Sequence, residues 1–425
     1  MDSRSPRDQE RAATPTSMSD QLRSRSSSAT LLLCALGAVC EGFDVQAAGV
    51  AAAGLRFEFH PGAQALGLFF AAGGAGLLVG ALIGGHLSDS IGRKPVLVTS
   101  ISAFGVFSLV TSAMPSIPLL IAARFLTGLG LGGAMPNLIA LAADSSSTDS
   151  RNVSIASAYV GMPIGGSVAS LLASSLSQES WRVVFQVGGV APLVTVCLMA
   201  LFIPAHAVTR HSRIPLEHAA TALRELFGSK RVLTTLSLWA SFFLIALILH
   251  LMLNWLPLLL IGRGLRSSHA ALAQAGFNLG GAAAGLCLGA LLDSSSRRTA
   301  IIACVATLPV LVWLTAASPA RTGLVIGLVA ALGGAIIAEQ VIAYGATTAS
   351  YPPHAHGTAI GAAIAAGRAG SLVGPLIAAA LLANGRTPSQ VLTDILPIVL
   401  LCSSLVGAIG YRHLDNTKAY PADRM

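Results

Sequence analysis

Two carboxylates stand in the middle of a long apolar stretch near the start of the chain. Glu41 and Asp44 fall within residues 31–55, LLLCALGAVCEGFDVQAAGVAAAGL. Because they are three positions apart, a helix places them on one face. Inserting each at the centre of a membrane helix costs about 2.5–3.5 kcal/mol, so this face must look into protein or water. Ionisable groups at such depth mark ion or substrate paths. The alternative is a pair of packing residues hydrogen-bonded to neighbouring helices.

An arginine inside another apolar stretch supplies the complementary charge. Arg124 begins the run RFLTGLGLGG, and an arginine at this depth must find a carboxylate or a carbonyl. Glu41 and Asp44 are the obvious partners. Protonation of one acid would weaken this contact and could bias which side of the protein is open. A permanent ion pair is the alternative, since a buried pair does not by itself show function.

The second half of the chain has its own charges in apolar runs. Arg368 is a candidate for binding an anionic substrate, because a guanidinium meets a carboxylate with two parallel hydrogen bonds. A structural ion pair of Arg368 with Glu339 is the alternative. Other polar side chains in apolar runs could hydrogen-bond a substrate hydroxyl or hold helices together: Gln46, Asn137, Tyr159, His250, Asn254, Asn278 and Tyr344.

The composition places these residues in a membrane protein. The 425 residues are 54% hydrophobic and 10% charged, whereas soluble domains carry about 25% charged residues. The six cysteines lie in apolar runs without CxxC spacing, so they predict neither disulfides nor a metal site. No HExxH, GxxxxGK[ST] or GxSxG motif occurs. We therefore expect no enzyme activity, no ATP-driven step and no cofactor.

Twelve apolar spans predict an all-α membrane protein of twelve transmembrane helices in two pseudo-symmetric bundles of six. Lys and Arg concentrate in the segments that lie on the same side as both termini, which predicts cytoplasmic termini. The basic net charge thus reports topology and requires no nucleic acid. The predicted parts are a disordered cytoplasmic tail (1–29), the first bundle (30–203), a cytoplasmic linker (204–231), the second bundle (232–411) and a second tail (412–425).

A short motif recurs in the two halves. The sequence GGHLSDSIGRKP follows the second span, and GALLDSSSRR follows the eighth. Gly, Asp and Arg keep their spacing in both copies, although Ser296 replaces Gly92 in the second copy. We expect Gly85 to allow close packing and the charged residues to form contacts that break when the halves move. The candidate gating residues are Gly85, Asp89, Gly92, Arg93, Asp293 and Arg297.

The GGHLSDSIGRKP loop and the RxxxGxG pattern at Arg124 resemble the major facilitator superfamily. The run EGFDVQAAG resembles the aromatic acid:proton symporter family, and within it the chain is most similar to 3-(3-hydroxyphenyl)propionate transporters. This resemblance implies a monomer in a bacterial inner membrane that takes up an aromatic carboxylate together with protons. It also implies that Glu41, Asp44 and Asp89 are needed for transport.

Two other functions remain open from the sequence. One is the export of drugs or metabolites by proton antiport, for which residues 161–166, GMPIGG, match the antiporter Gly-Pro motif only in part. The other is a nutrient sensor that binds without transporting. Such sensors carry long cytoplasmic extensions, whereas the predicted tail of this chain is short.

Overall fold

A computed structural model describes residues 18–145, 151–202, 226–228, 231–292, 297–352 and 355–414. The first half of the chain forms helices α1 to α6, with a short 3₁₀ turn at Gln178–Ser180 before α6. Their bounds are α1 Met18–Phe59, α2 Ala63–Ile91, α3 Arg93–Ala113, α4 Ile117–Asp144, α5 Arg151–Ser175 and α6 Arg182–Phe202.

The second half forms helices α7 to α13. Their bounds are α7 Val232–Gly262, α8 Ser267–Leu292, α9 Arg297–Ala317, α10 Thr322–Ser350, α11 His356–Ala383, α12 Pro388–Asp394 and α13 Leu396–Leu414. Residues 1–17 of the predicted first tail, most of the predicted linker 204–231, the predicted tail beyond 414 and the candidate Asp293 lie outside the described residues. The structure differs from the predicted disordered tail over residues 18–29, which are helical and belong to α1.

Within the described residues, 10 helices are long and apolar enough to cross a membrane. The short helix α12 and α13 together make one of them, Pro388–Arg412. The fifth and eighth of the twelve predicted spans, which correspond to α5 and α8, are not among these ten. In α5, the apolar stretch within the described residues is the shorter Val160–Ser175.

Large apolar side chains cover the outside of the helices. Leu32, Leu82 and Leu201 are each more than 70% exposed. A water-soluble protein rarely presents so much apolar surface, because exposed apolar area is unfavourable in water. Such a surface suits contact with lipid chains. Polar side chains are then expected in the interior of the protein.

Glycines fix the position of α1 against its neighbour α5. A Cβ added at Gly42 would collide with the backbone carbonyl of Met162, and one added at Gly165 would collide with that of Val39. The two backbones therefore touch, as small residues permit in helix packing within membranes. Because α1 cannot rotate or slide without a clash, its two acids are held at fixed positions.

The two halves of the chain meet at one end of the molecule, which we call the α1–α2 end because it holds the connection between those helices. Here a Cβ at Gly49 of α1 would collide with the carbonyl of Leu253 on α7, and one at Gly67 of α2 would collide with Ala379 on α11. The helices of the two halves are therefore in direct contact here. The halves are closed against each other at this end.

Aromatic residues strengthen this closure. The indole N–H of Trp255 on α7 donates a hydrogen bond of 2.9 Å to the carbonyl of Pro375 on α11. Its ring packs edge-on against Phe70 of α2, with centroids 5.2 Å apart. One buried side chain thus connects three helices from both halves.

At the opposite end, which we call the α2–α3 end, three glycines of α2 and α11 lie in open space. A Cβ added at Gly85 on α2, or at Gly357 or Gly361 on α11, would have no atom within 4 Å. The prediction that Gly85 allows close packing is therefore wrong for this conformation. Its neighbour Gly84 has that role, since a Cβ there would lie 2.6 Å from Cα of Gly133 on α4.

This contrast gives a test with an internal control. We expect Gly84→Ala to lower the thermal unfolding temperature of the purified protein in detergent, because overpacking costs about 1–3 kcal/mol. Gly85→Ala adds the same methyl group one residue later, where there is space, and should leave the unfolding temperature unchanged. An equal loss in both variants would contradict the packing described here.

Candidate functional site

One of the two central acids forms an ion pair with the arginine predicted to meet it. Nη1 of Arg124 on α4 lies 2.8 Å from Oδ2 of Asp44 on α1. Asp44 is 0% and Arg124 4% exposed. A second guanidinium nitrogen donates to the backbone carbonyl of Asp44 at 3.5 Å. Among the two acids left open by the sequence, the structure thus pairs Arg124 with Asp44.

The surroundings of Arg124 leave space for its side chain. Gly73 on α2 faces the guanidinium, and a Cβ there would lie 3.3 Å from Nη2. The ring of Phe185 on α6 lies 5.8 Å from the guanidinium carbon. This pair joins α1 to α4 within the first half and does not involve the second half.

The other acid has no such partner. Glu41 is 1% exposed, and neither of its carboxylate oxygens has a hydrogen-bond partner among the described residues. The charges that act on it are those of Arg368 on α11 and Asp44 on α1. The acids thus face protein and not lipid, but both are buried, so neither is open to water in this conformation. Glu41 is the less satisfied of the two.

Arg368 lies at the boundary between the halves. Its charge interacts with Glu41 of the first half and with His250 on α7 of the second half. The residue is partly exposed, and no ion pair found among the described residues includes it. A guanidinium in this setting keeps its donors available for an added anion.

Glu339 lies away from this boundary. Its carboxylate accepts hydrogen bonds from the hydroxyl of Ser403 and the thiol of Cys402, both on α13. It is 0% exposed. The proposed ion pair with Arg368 is absent from the described residues, and Glu339 faces α13 within the second half. These hydrogen bonds indicate that Glu339 serves as a structural contact between α10 and α13.

Gln46 has a different place from the one expected of a substrate ligand. It is 1% exposed, and its amide donates to the carbonyl of Leu253 on α7 at 3.0 Å. Its oxygen accepts from Gln274 and Asn278 on α8, each at 3.1 Å. Gln46 therefore joins the halves near the α1–α2 end. Sequence reasoning missed Gln274, which looks like any polar residue in an apolar helix.

Three further polar candidates lie on α7 and α10, whereas the side chain of the candidate Tyr159 on α5 lies outside the described residues. Nδ1 of His250 bonds the carbonyl of Ala246 at 3.0 Å, and the amide of Asn254 donates to the carbonyl of His250 at 2.7 Å. Both bonds run along α7, as expected for polar groups that satisfy themselves within a membrane helix. Tyr344 on α10 packs edge-on against Phe242, with centroids 4.9 Å apart. Of these three residues, His250 is the one that is affected by the charge of Arg368.

The repeated motif lies at the α2–α3 end. Asp89 is exposed on the last turn of α2, and Arg93 begins α3. Gly92 between them has a φ of 97°, a conformation that favours glycine, and its N–H bonds the carbonyl of Ser88. In the second copy, Arg297 begins α9.

A further contact fixes this turn and was not foreseen. The hydroxyl of Ser88 donates to the amide oxygen of Asn137 on α4 at 2.7 Å. Asn137 in turn donates to the carbonyl of Gly133. Both polar atoms of the Asn137 amide are thus hydrogen-bonded within the protein, at the α2–α3 end of α4. These bonds account for its burial, and no substrate contact is needed to explain it.

Two cavities lie away from these side chains, at the α1–α2 end. One of about 340 Å³ is lined by Arg263, Ser318 and Thr387, and one of about 20 Å³ is lined by Trp181 and Gln178. Neither is lined by Glu41, Asp44 or Arg368. The candidate site is instead marked by the charges of Glu41 on α1 and Arg368 on α11 and by His250 on α7.

Comparison with known proteins gives consistent matches over most of the chain. The family model described as Major Facilitator Superfamily matches residues 34–411. A 3-(3-hydroxy-phenyl)propionate transporter of Escherichia coli (strain K12) is 37% identical over 92% of this chain and 95% of its own length. A gallate transporter of Pseudomonas putida is 30% identical over 84% of this chain and 85% of its own.

A 4-hydroxybenzoate transporter of Pseudomonas aeruginosa is 28% identical over 88% of this chain and 91% of its own. Solved structures share the fold at lower identity. A bacterial homologue of the human lysosomal transporter Spinster has a TM-score of 0.71 at 15% identity, over 92% of this chain and 98% of that one. The xylose transporter of E. coli has a TM-score of 0.71 at 13% identity, with the same shares covered.

The two central acids should respond differently to neutralisation. Asp44→Asn leaves the buried Arg124 without its counter-charge, and removing one partner of a buried pair costs about 3–5 kcal/mol. Glu41→Gln removes a charge that has no bonded partner in the described structure and should leave thermal stability nearly unchanged. Thermal unfolding of the purified variants in detergent makes the comparison.

The double variant Asp44→Asn with Arg124→Gln serves as the control, because it removes both charges and should recover part of the lost stability. If Glu41→Gln destabilised the protein as much as Asp44→Asn, Glu41 would have a structural partner and the distinction between the acids would fail.

Proposed function

Because the chain belongs to the major facilitator superfamily, we propose that it is a proton-coupled symporter that imports an aromatic carboxylate by alternating access. The substrate is 3-(3-hydroxyphenyl)propionate or a related hydroxylated aromatic acid. The similarity to transporters named for 3-(3-hydroxy-phenyl)propionate, gallate and 4-hydroxybenzoate supports this substrate class. The protein is a transporter and not an enzyme.

The proposal includes the finer architecture. Twelve membrane helices form two six-helix bundles, 30–203 and 232–411, joined by the linker 204–231 and flanked by the tails 1–29 and 412–425. The short α12 and α13 together supply the last of the twelve. The protein is a monomer in a bacterial inner membrane, with both termini in the cytoplasm. The distribution of Lys and Arg supports this orientation.

The observation that carries the proposal is the setting of Arg368. The residue is partly exposed, its charge acts on Glu41 of the first half and on His250 of the second, and it belongs to no ion pair found among the described residues. A carboxylate is the ligand that best fits such a group. The imidazole of His250 and the hydroxyl of Tyr344 are the groups that we assign to polar substituents of the substrate, and Asn254 supports His250 from the next turn.

Glu41 is the acid that we assign to the proton. Asp44 is neutralised by Arg124, whereas Glu41 has no hydrogen-bond partner in the described structure. Its carboxylate can therefore bind and release a proton without breaking a hydrogen bond of the described structure. Since Glu41 is only 1% exposed here, a proton reaches it when the bundles change their arrangement. Asp44 and Arg124 hold α1 and α4 in the positions that this exchange requires.

The described conformation fits one state of alternating access. With the proposed orientation, the α2–α3 end faces the cytoplasm and the closed α1–α2 end faces outward. Gln46, Gln274 and Asn278 then belong to the outer seal. The gating residues Gly85, Asp89, Gly92, Arg93 and Arg297 then lie on the cytoplasmic side, where contacts would form as the protein opens outward. We assign Asp293 to the same group from its place in the repeated motif.

Transport by the purified protein in vesicles tests the function. We expect labelled 3-(3-hydroxyphenyl)propionate to accumulate inside when the outer solution is more acidic, and protein-free vesicles give the passive background. Benzoates, phenylacetates and phenylpropionates added as competitors define the substrate class. Expulsion of substrate in exchange for protons would instead indicate export, and binding without flux would indicate a sensor.

Arg368 should determine affinity for the carboxylate. Hydrogen bonds to charged groups contribute about 1.5–3 kcal/mol, so Arg368→Gln should raise the Kd for 3-(3-hydroxyphenyl)propionate by about ten- to hundredfold. Arg368→Lys should raise it less, because Lys keeps the charge but loses the paired hydrogen bonds. Calorimetric titration of the detergent-solubilised protein measures both values.

Glu339→Gln is the matched control for this measurement. It changes another buried charged group of the second half, but its partners are on α13, so the Kd should stay within about twofold of the unmodified value. An unchanged Kd in Arg368→Gln would remove this residue from the binding site.

A further inference from the structure

The larger of the two cavities, of about 340 Å³, lies at the α1–α2 end of the second half. Its walls are the end of α7, the end of α9 with the residues that follow, and the start of α12. Its polar lining comes from Arg263, Ser318, Thr387 and Ser389, and the rest is alanine, proline and glycine. All of these residues belong to the second half, so the cavity is separate from the candidate substrate site.

The guanidinium of Arg263 is held in this cavity by the end of α9. Nη1 donates to the carbonyl of Thr315, and Nη2 donates to the carbonyl of Ser318 and lies 3.5 Å from its hydroxyl. Arginine has five N–H groups, so at least two of them have no acceptor among the described residues. The carbonyls thus orient a guanidinium that still has donors to offer.

The charge of Arg263 has no carboxylate partner. It belongs to no ion pair found among the described residues. Asp394 is the acid at this end of the second half, and Nε of Arg386 lies 2.9 Å from its Oδ2. Partial burial lowers the pKa of the Arg263 guanidinium, as expected for a cation moved out of water without a counter-charge. An added anion would supply that counter-charge.

The whole α1–α2 end of the second half is basic. It carries four arginines against the single acid Asp394, namely Arg263, Arg266, Arg321 and Arg386. At the same end of the first half, two arginines are matched in number by two acids, Glu58 and Glu179. A surface with this excess of positive charge attracts anions.

The cavity adjoins a face of α9 that suits contact with lipid. Ala317 lines the cavity and is exposed. Val310 and Trp313, four and seven positions before it, are each 53% exposed, and these spacings place all three residues on one side of the helix. Tryptophan is typical of the level where lipid head groups meet acyl chains. The cavity is therefore at the height of the head groups, above a surface that acyl chains can cover.

We propose that this cavity binds the phosphate of an anionic phospholipid, whose acyl chains lie along the exposed face of α9. The remaining N–H groups of Arg263 donate to the phosphate oxygens, as guanidinium and phosphate groups fit each other well. The hydroxyl of Thr387 accepts the N–H of Gln390, so its own hydrogen is available to the phosphate, as is that of Ser389. Basic pockets between membrane helices bind lipid head groups in this way.

A lipid suits the cavity better than a soluble carboxylate does. The cavity lies beside a lipid-facing surface and has no lining residue from the first half. A phosphate bound there joins α7, α9 and α12, which belong to one half, so it should stabilise that half and leave the movement between the halves free.

Thermal unfolding of the purified full chain in nonionic detergent tests the proposal. Phosphatidylglycerol should raise the unfolding temperature by about 2 °C or more above its value with the same concentration of phosphatidylcholine, because a ligand of the folded state stabilises it. Inorganic phosphate at the same concentration should leave the temperature unchanged, since it lacks the acyl chains.

Ser389→Asp gives the matched variant. It adds a carboxylate to the lining of the cavity, where it compensates Arg263 and repels a phosphate, and Asp is well tolerated in the first turn of a helix. The concentration of phosphatidylglycerol that gives half of the stabilisation should rise about tenfold or more. Gln390→Glu adds the same charge one residue later, outside the lining, and keeps the capping box with Thr387. That concentration should then change by less than about twofold.

Equal stabilisation by the two lipids, or an equal response of the two variants to phosphatidylglycerol, would overturn the proposal. Stabilisation by inorganic phosphate that Ser389→Asp removes, without any response to phosphatidylglycerol, would assign the cavity to a soluble anion and would also overturn it. Native mass spectrometry of the unmodified protein is an independent measurement. We expect one phosphatidylglycerol to stay bound at collision energies that remove phosphatidylcholine, and equal loss of both lipids would contradict the site.

Discussion

A charge in an apolar interior must be compensated by the protein itself, since neither lipid nor excluded water can do so. The structure meets this constraint in three ways. Asp44 and Arg124 form a bonded pair within the first half. Glu339 is held by hydrogen bonds from α13. Glu41 has no hydrogen-bond partner among the described residues, and the positive charge that acts on it is that of Arg368 on the second half.

Backbone contacts determine where these charges stand. Gly42 and Gly165 bring α1 and α5 together until their backbones touch, which fixes the rotation of α1 and therefore the direction of both acids. Gly49 and Gly67 repeat this close approach between the halves at the α1–α2 end. At the other end, Gly85 meets no atoms. Glycine thus permits close helix contact at some positions and lies in open space at Gly85.

The sequence indicated the type of each interaction more reliably than its partner. It restricted Arg124 to one of two acids on one helix face, because few carboxylates occur in the apolar runs. It could not choose between them, since the choice depends on how α1 and α4 are rotated. For Glu339, the partners proved to be Ser403 and Cys402, two residues that carry no signal in an apolar helix. Gln46 likewise seemed a candidate substrate ligand from the sequence, whereas in the structure its amide group is bonded to residues of α7 and α8.

The helical membrane fold, the family and the short set of buried charges all follow from the amino-acid sequence. Hydropathy and the cost of burying charge are local properties, so they can be read along the chain. The packing of the helices was needed to show that Glu41 lacks a hydrogen-bond partner in the described residues, that Glu339 faces α13 and that the halves close at the α1–α2 end. These facts depend on the rotation and tilt of helices distant in sequence, which side-chain packing sets and hydropathy does not.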